Sequence, residues 1–293
     1  MIFNSNWFFS GNTIECTPHR IAMDDCIVIK FGGGLITDKS TMCTPNHEVI
    51  DSLVNVVADC LENNLRVIVV HGAGSFGHLR SKHWKLNHGY LPDYDFVSQD
   101  DCKSQQSAVS LVRKEMLTLN QIVLDAFSKR DIATTKLPPH EWARNTGSNF
   151  DGNVAKLFNN NNSVAITFGD IVDCDEGVFG ILSGDDLVVR ICEDIPNVKR
   201  LIFAVKGVDG ILKRPPEFAD ESDLIEHWSP SVEYGGVHNT EIDVTGGIGL
   251  KAIRGSEVAA SGVDVFIING EEPKRLLDAC KGISTRGTQI FAE

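Results

Sequence analysis

Short, wholly apolar runs alternate along this chain with longer segments whose apolar positions recur every three or four residues. Cys26-Ile27-Val28-Ile29-Lys30-Phe31 is a β-rich run that stops at Gly32-Gly33-Gly34, which predicts a buried strand feeding a glycine loop. Val49, Leu53, Val56, Val57 and Leu61 then recur at helical spacing, and Arg66-Val67-Ile68-Val69-Val70 resumes a strand. Strand, helix and strand in that order make a βαβ unit, so the sheet is expected to be parallel. The second strand runs into His71-Gly72-Ala73-Gly74-Ser75-Phe76-Gly77-His78, a second glycine-rich turn.

The same reading continues to the end. It predicts a long amphipathic helix over 98–129, a strand over 132–137, a turn at the asparagines 159–162 and a strand over 164–168. A hairpin returns through 178–182, a helix covers 187–192, a strand covers 200–205, a helix spans 248–261 and a last strand spans 263–268. Several of these strands end in Gly or Asp. In open α/β sheets ligands bind beyond the carboxyl ends of the strands, so the chemistry is expected along that edge. Residues 1–24 read as an extension of unassigned role, and 25–293 as the folded domain.

Composition narrows the class. A chain of 293 residues with 42% hydrophobic and 23% charged residues can bury a sizeable core. Forty acidic against 27 basic residues give a formal charge of −13, which argues against a nucleic-acid-binding surface and leaves anions to be held by local groups. The eight cysteines form no CxxC pair or zinc-spaced cluster and read as reduced thiols of a cytoplasmic protein. No secretory leader and no run of about 20 apolar residues is present, so no membrane association is expected.

Two glycine runs at one sheet edge, each beside a charged residue, suit phosphoryl transfer. That chemistry asks for backbone N–H cradles and lysines that neutralise charge on the transferring oxygens. Neither run fits the P-loop, protein-kinase or dinucleotide pattern. In order, the chain offers Lys30-Phe31-Gly32-Gly33-Gly34, Thr37-Asp38-Lys39, Gly72-Ala73-Gly74-Ser75-Phe76-Gly77-His78, Gly169-Asp170, Ser183-Gly184-Asp185-Asp186, Val208-Asp209-Gly210 and Asp243-Val244-Thr245-Gly246-Gly247 with Lys251. Over roughly residues 26–291 this succession resembles the isopentenyl phosphate kinases of the amino acid kinase superfamily.

The resemblance implies an αβα sandwich around a mainly parallel open sheet, with the N-terminal part holding the acceptor and the part from about 195 holding the nucleotide. It implies ATP as donor with Mg²⁺ at its phosphates, isopentenyl phosphate as acceptor, isopentenyl diphosphate as product, and a homodimer. Lys30, Lys39, His78 and Asp185 would be catalytic, the lysines stabilising the transferring group and Asp185 orienting them. Ala73, Gly74, His78, Gly169, Asp170 and Gly184 would bind the acceptor. Lys30, Gly32, Gly33, Gly34, Gly74, Lys206, Asp209, Gly210, Gly247 and Lys251 would bind ATP, with no dedicated protein ligands for a metal. Lys206-Gly207 stands where the family often has Thr-Asp, a departure that bears on nucleotide preference. A fosfomycin-type kinase, a kinase of amino-acid carboxylates and a non-catalytic metabolite sensor are the competing readings. An imidazole at His78 suits a phosphate acceptor better than an amino acid.

Overall fold

A computed structural model describes residues 25–38, 40–94, 101–158, 162–231 and 247–293. The expected extension, the turn at 159–161, Lys39 and the stretch 232–246 lie outside the described residues. The strands are β1 (Cys26–Phe31), β2 (Arg66–His71), β3 (Thr134–Lys136), β4 (Val164–Phe168), β5 (Asp170–Asp173), β6 (Phe179–Leu182), β7 (Val198–Val205), β8 (Ile211–Leu212), β9 (Leu224–Ile225), β10 (His227–Trp228), β11 (Asp264–Asn269) and β12 (Thr288–Ile290). The helices are α1 (Gly33–Ile36), α2 (His47–Glu62), α3 (His78–His83), α4 (Gln105–Ser128), α5 (Val154–Phe158), α6 (Gly184–Asp194), α7 (Ile248–Ala259) and α8 (Pro273–Cys280).

Eight strands form one sheet in the order β10-β12-β11-β7-β1-β2-β4-β3. The pairs β1–β2, β1–β7, β2–β4, β3–β4 and β7–β11 are parallel. Every residue of β1 and β2 is buried, which is why these strands read as continuous apolar runs rather than alternating ones. Alternate residues of β1 serve two cores. Ile27, Ile29 and Phe31 pack in the cluster that takes in α2, α4 and α8, while Cys26 and Val28 join the cluster with α5, α6 and α7. The sheet is thus covered on both faces, the αβα sandwich expected from the sequence.

Local chemistry sets the element ends. Asn46 caps α2, its side chain accepting from Val49 N, and Ser183 caps α6 by accepting from Asp186 N at 3.0 Å. Helix α4 begins at Gln105, so residues 101–104 of the expected helix lie outside it, and its expected start at 98 falls outside the described residues. Ser104 and Ser107 form a reciprocal cap there, Ser107 N donating to Ser104 Oγ at 3.2 Å and Ser104 N to Ser107 Oγ at 3.0 Å. Strands β5 and β6 form the expected hairpin, but as a separate two-stranded sheet. The short strands β8, β9, β10 and β12 were not foreseen, and β12 pairs antiparallel with β11. Two or three residues are too few to show a period.

Candidate functional site

The carboxyl ends of the central strands meet at one cleft. Beyond the strands the backbone ladder continues: Gly32 N donates to Ala204 O, Gly72 N to Phe31 O and Gly169 N to His71 O, at 2.9, 2.9 and 3.1 Å. The glycine runs are therefore held side by side. A Cβ on Gly33 would lie 2.4 Å from Gly74 N, and one on Gly72 would lie 2.6 Å from Gly33 N. Gly74 has φ +53°, and its Cβ would fall 2.0 Å from Thr37 Oγ1 and 2.4 Å from Gly33 O. The sequence suggested that these glycines clear space for a ligand. The structure gives another reason, since each run clears space for the backbone of the other.

Gly33-Gly34 is also not a free loop but the first turn of α1. Thr37 follows that turn and staples the two runs. Its hydroxyl donates to Gly33 O at 2.7 Å and accepts from Ser75 N at 2.9 Å, while Ser75 Oγ accepts from Thr44 N at 3.1 Å.

Three charged side chains converge beside this wall. Lys30 comes from β1, Asp185 from the first turn of α6 and Lys251 from α7. Lys30 Nζ contacts Asp185 Oδ1, and Lys251 Nζ lies 3.6 Å from Asp185 Oδ2. All three are buried, Lys30 to 4% exposure, Asp185 to 3% and Lys251 to 8%. Burial pulls the Lys30 ammonium down to about 8, against the upward pull of Asp185. Burial opposes ionisation of Asp185 too, but the two lysines outweigh it and hold the carboxyl below its ordinary value. Two cations against one carboxylate leave a surplus positive charge where the glycine amides end.

The cleft has a volume of about 340 Å³. Its wall includes Lys30, Gly32, Gly33, Gly34, Ala73, Gly74, His78, Gly169, Asp170, Gly184, Asp185, Lys206, Gly247 and Lys251. His78 is half-buried there at the start of α3, and Lys206 is exposed at the end of β7. The structure does not bring Asp209 and Gly210 to this wall. Asp209 is engaged by Arg275 at 2.7 Å and Arg286 at 2.5 Å, and a Cβ on Gly210 would strike Thr288 Oγ1 at 2.3 Å. Gly210 thus permits the close approach of β12, a packing role that its place in a Val-Asp-Gly run does not reveal. Asp170 lines the cleft, but its carboxylate is turned into the wall, where His140 Nδ1 meets Oδ2 at 2.5 Å.

Val112, Met116, Ile171 and Ile181 also line the cleft and give it an apolar part. Sequence reasoning did not single them out, because a cleft-lining aliphatic and a core aliphatic follow the same period. His140 was missed as well, its only signal being a histidine after Pro138-Pro139. His71, flanking the second run, is fully buried, stacks on Phe168 and is lowered by burial to about 4, so its imidazole is neutral. Among the described residues no three His, Cys, Asp or Glu side chains are grouped to hold a metal. Both oxygens of Asp185 face lysines, and Asp186 is occupied by Arg254 at 2.8 Å and by Ser183 Oγ at 2.7 Å.

The chain is similar to known proteins in sequence and in fold. The amino acid kinase family profile matches residues 25–269. The isopentenyl phosphate kinase of Thermoplasma acidophilum is 30% identical over 259 residues, covering 87% of this chain and 96% of that one. A crystal structure of a T. acidophilum isopentenyl phosphate kinase product complex superposes with a TM-score of 0.71 at 27% identity, over 90% of this chain and 99% of that chain. X-ray structures of isopentenyl phosphate kinase give 0.72 at 22% identity with the same coverage, which speaks for the fold.

Proposed function

The chain belongs to the amino acid kinase family, and from that premise we propose that it is an isopentenyl phosphate kinase, moving the γ-phosphoryl group of ATP onto isopentenyl phosphate to give ADP and isopentenyl diphosphate. The observation that carries the reading is the polarity of the cleft. Lys30, Lys251 and the glycine wall supply cations and amides, while Val112, Met116, Ile171 and Ile181 supply an apolar part suited to a short hydrocarbon tail.

A phosphate oxygen of the acceptor attacks the γ-phosphorus as the bond to the β-phosphate oxygen breaks, so no covalent enzyme intermediate is required. The acceptor is already anionic, so a strong general base is unnecessary and electrostatic positioning does the main work. In this reading Lys30 and Lys39 neutralise the transferring group, and Asp185 holds Lys30 and Lys251 in register. His78 donates to the acceptor phosphate, and Lys206, Gly247 and Lys251 meet the nucleotide. Mg²⁺, supplying charge neutralisation, would be held by nucleotide oxygens and water, because the cleft carboxylates are already paired. A homodimer in the cytoplasm completes the proposal, the dimer being checked by light scattering.

ADP release from ATP, measured with isopentenyl phosphate, with fosfomycin and with no acceptor, tests the reaction. Turnover confined to isopentenyl phosphate is expected. Turnover with fosfomycin alone, or none with any acceptor, would overturn it.

A further inference from the structure

The reaction proposed above leaves a pair in the acceptor wall without a task, the buried Asp170 and the partly buried His140. We propose that His140 is a positioning residue, which holds the Asp170 carboxylate turned into the protein and so lets an acidic residue line a site for an anionic acceptor. This inference rests on the functional reading above.

Asp170 opens β5 directly after Gly169, whose Cβ would lie 3.1 Å from the amide nitrogen of Gly184 at the start of α6. It therefore borders the same cleft as Gly74 and His78, where a phosphate is expected to bind. A free carboxylate there would repel the acceptor. The structure shows it restrained: the side chain is 0% exposed and both oxygens accept hydrogen bonds. Oδ1 accepts from Ile171 N at 2.8 Å, and Oδ2 accepts from His140 N at 3.2 Å and faces His140 Nδ1 at 2.5 Å. Among the described residues His140 is the one side chain paired with the Asp170 carboxylate, the cleft lysines Lys30 and Lys251 being turned to Asp185.

The imidazole is itself fixed. His140 occupies the 3₁₀ turn Pro139–Glu141, entered through two prolines that restrict the backbone. Leu137 O, at the entry of that turn, accepts from Thr167 Oγ1 at 2.8 Å and from Trp142 Nε1 at 3.2 Å, which ties the turn to β4 on one side and to its own exit on the other. Loss of the ring would leave Oδ2 with one backbone amide at 3.2 Å and allow the carboxylate to rotate toward the cleft.

The test compares His140→Ala, Asp170→Asn and the double variant. Steady-state kinetics should show that His140→Ala raises the KM for isopentenyl phosphate by about tenfold or more, with the ATP KM changed by less than about twofold. The double variant should return to within about twofold of Asp170→Asn, since the offending charge is gone. A purely structural role predicts the opposite, two losses that add. An unchanged acceptor KM in His140→Ala, or a double variant as impaired as His140→Ala, overturns the proposal. The same series is read by calorimetric titration of inorganic phosphate into each protein saturated with ADP. If the unmodified protein does not turn over isopentenyl phosphate, the functional reading fails. The phosphate affinities, weakened in His140→Ala and restored in the double variant or not, still decide the role of the pair.

Discussion

Replacing Asp185 by Asn removes one buried negative charge and leaves the ammonium groups of Lys30 and Lys251 facing a neutral amide. In the unaltered protein Lys30 is cationic below about 8 and loses its proton above it, burial being the main depressing influence. If the cation is needed, kcat/KM for isopentenyl phosphate should decline as pH rises through about 8, because that ratio reports groups of the free enzyme. Asp185 raises the Lys30 pKa and Lys251 lowers it, so the substitution must move the decline to lower pH. Opposite charges about 4 Å apart interact by about 4 kcal/mol at an effective dielectric constant of about 20. The 3.6 Å between Lys251 Nζ and Asp185 Oδ2 shows that the separations here are of that order. At about 1.4 kcal/mol per unit the ceiling is about 3 units, and a displacement of at least about 1 unit is expected. The assay is ADP release at limiting acceptor from about pH 6 to 9.5, accompanied by circular dichroism, because breaking a buried pair costs about 3–5 kcal/mol of stability. A folded variant whose alkaline limb stays in place would refute the assignment of that limb to Lys30.

Gly74→Ala should lower the melting temperature sharply and abolish turnover, since its Cβ meets Thr37 Oγ1 and Gly33 O at a φ of +53°. Gly207→Ala, at φ +72° with nothing within 4 Å, should cost only about 1 kcal/mol in urea unfolding. Lys39→Ala should reduce kcat about 10²-fold with much smaller changes in either KM, a pattern that near-normal kcat would contradict. His78→Gln should keep appreciable turnover with a raised acceptor KM, and His78→Ala should lose much more; equal collapse of both would point to proton chemistry instead. His71 binds its proton near 6.5 when unfolded but only near 4 when folded, so the unfolded chain holds more protons between those values and stability must fall as pH drops through that window. The 2.5-unit gap corresponds to about 3 kcal/mol, and His71→Asn should flatten the pH slope of urea unfolding there.

The main sheet was legible because its strands are buried on both faces, which writes them as uninterrupted apolar runs stopping at glycine. Lys30 and Asp185 were legible for a related reason. A lysine closing an apolar strand and an acid opening a helix are conspicuous where they stand. The start of α4 was not, since apolar spacing does not show where a serine pair will divert the first amides. Asp209 illustrates a different limit. Its motif placed it with the nucleotide, yet Arg275 and Arg286 lie 66 and 77 residues downstream, and nothing local announces that they will claim it. His140 and Asp170 are 30 residues apart and meet only because β3 and β4 are neighbours.

The interlocked glycine runs bear on how the two halves of the reaction can move. In the proposed function the run after β1 meets the donor and the run after β2 meets the acceptor, with Gly74 touching both, and their backbones lie too close for either to shift alone. Donor and acceptor are then laid against a single rigid jaw, their spacing fixed by the sheet before either arrives. Any closing motion has to come from outside this pair of runs, for which the start of α7 at Gly247, also in the cleft wall, is the candidate. Filling that jaw with one substrate should therefore do little to pre-form the seat of the other, and binding of the two is expected to be nearly independent.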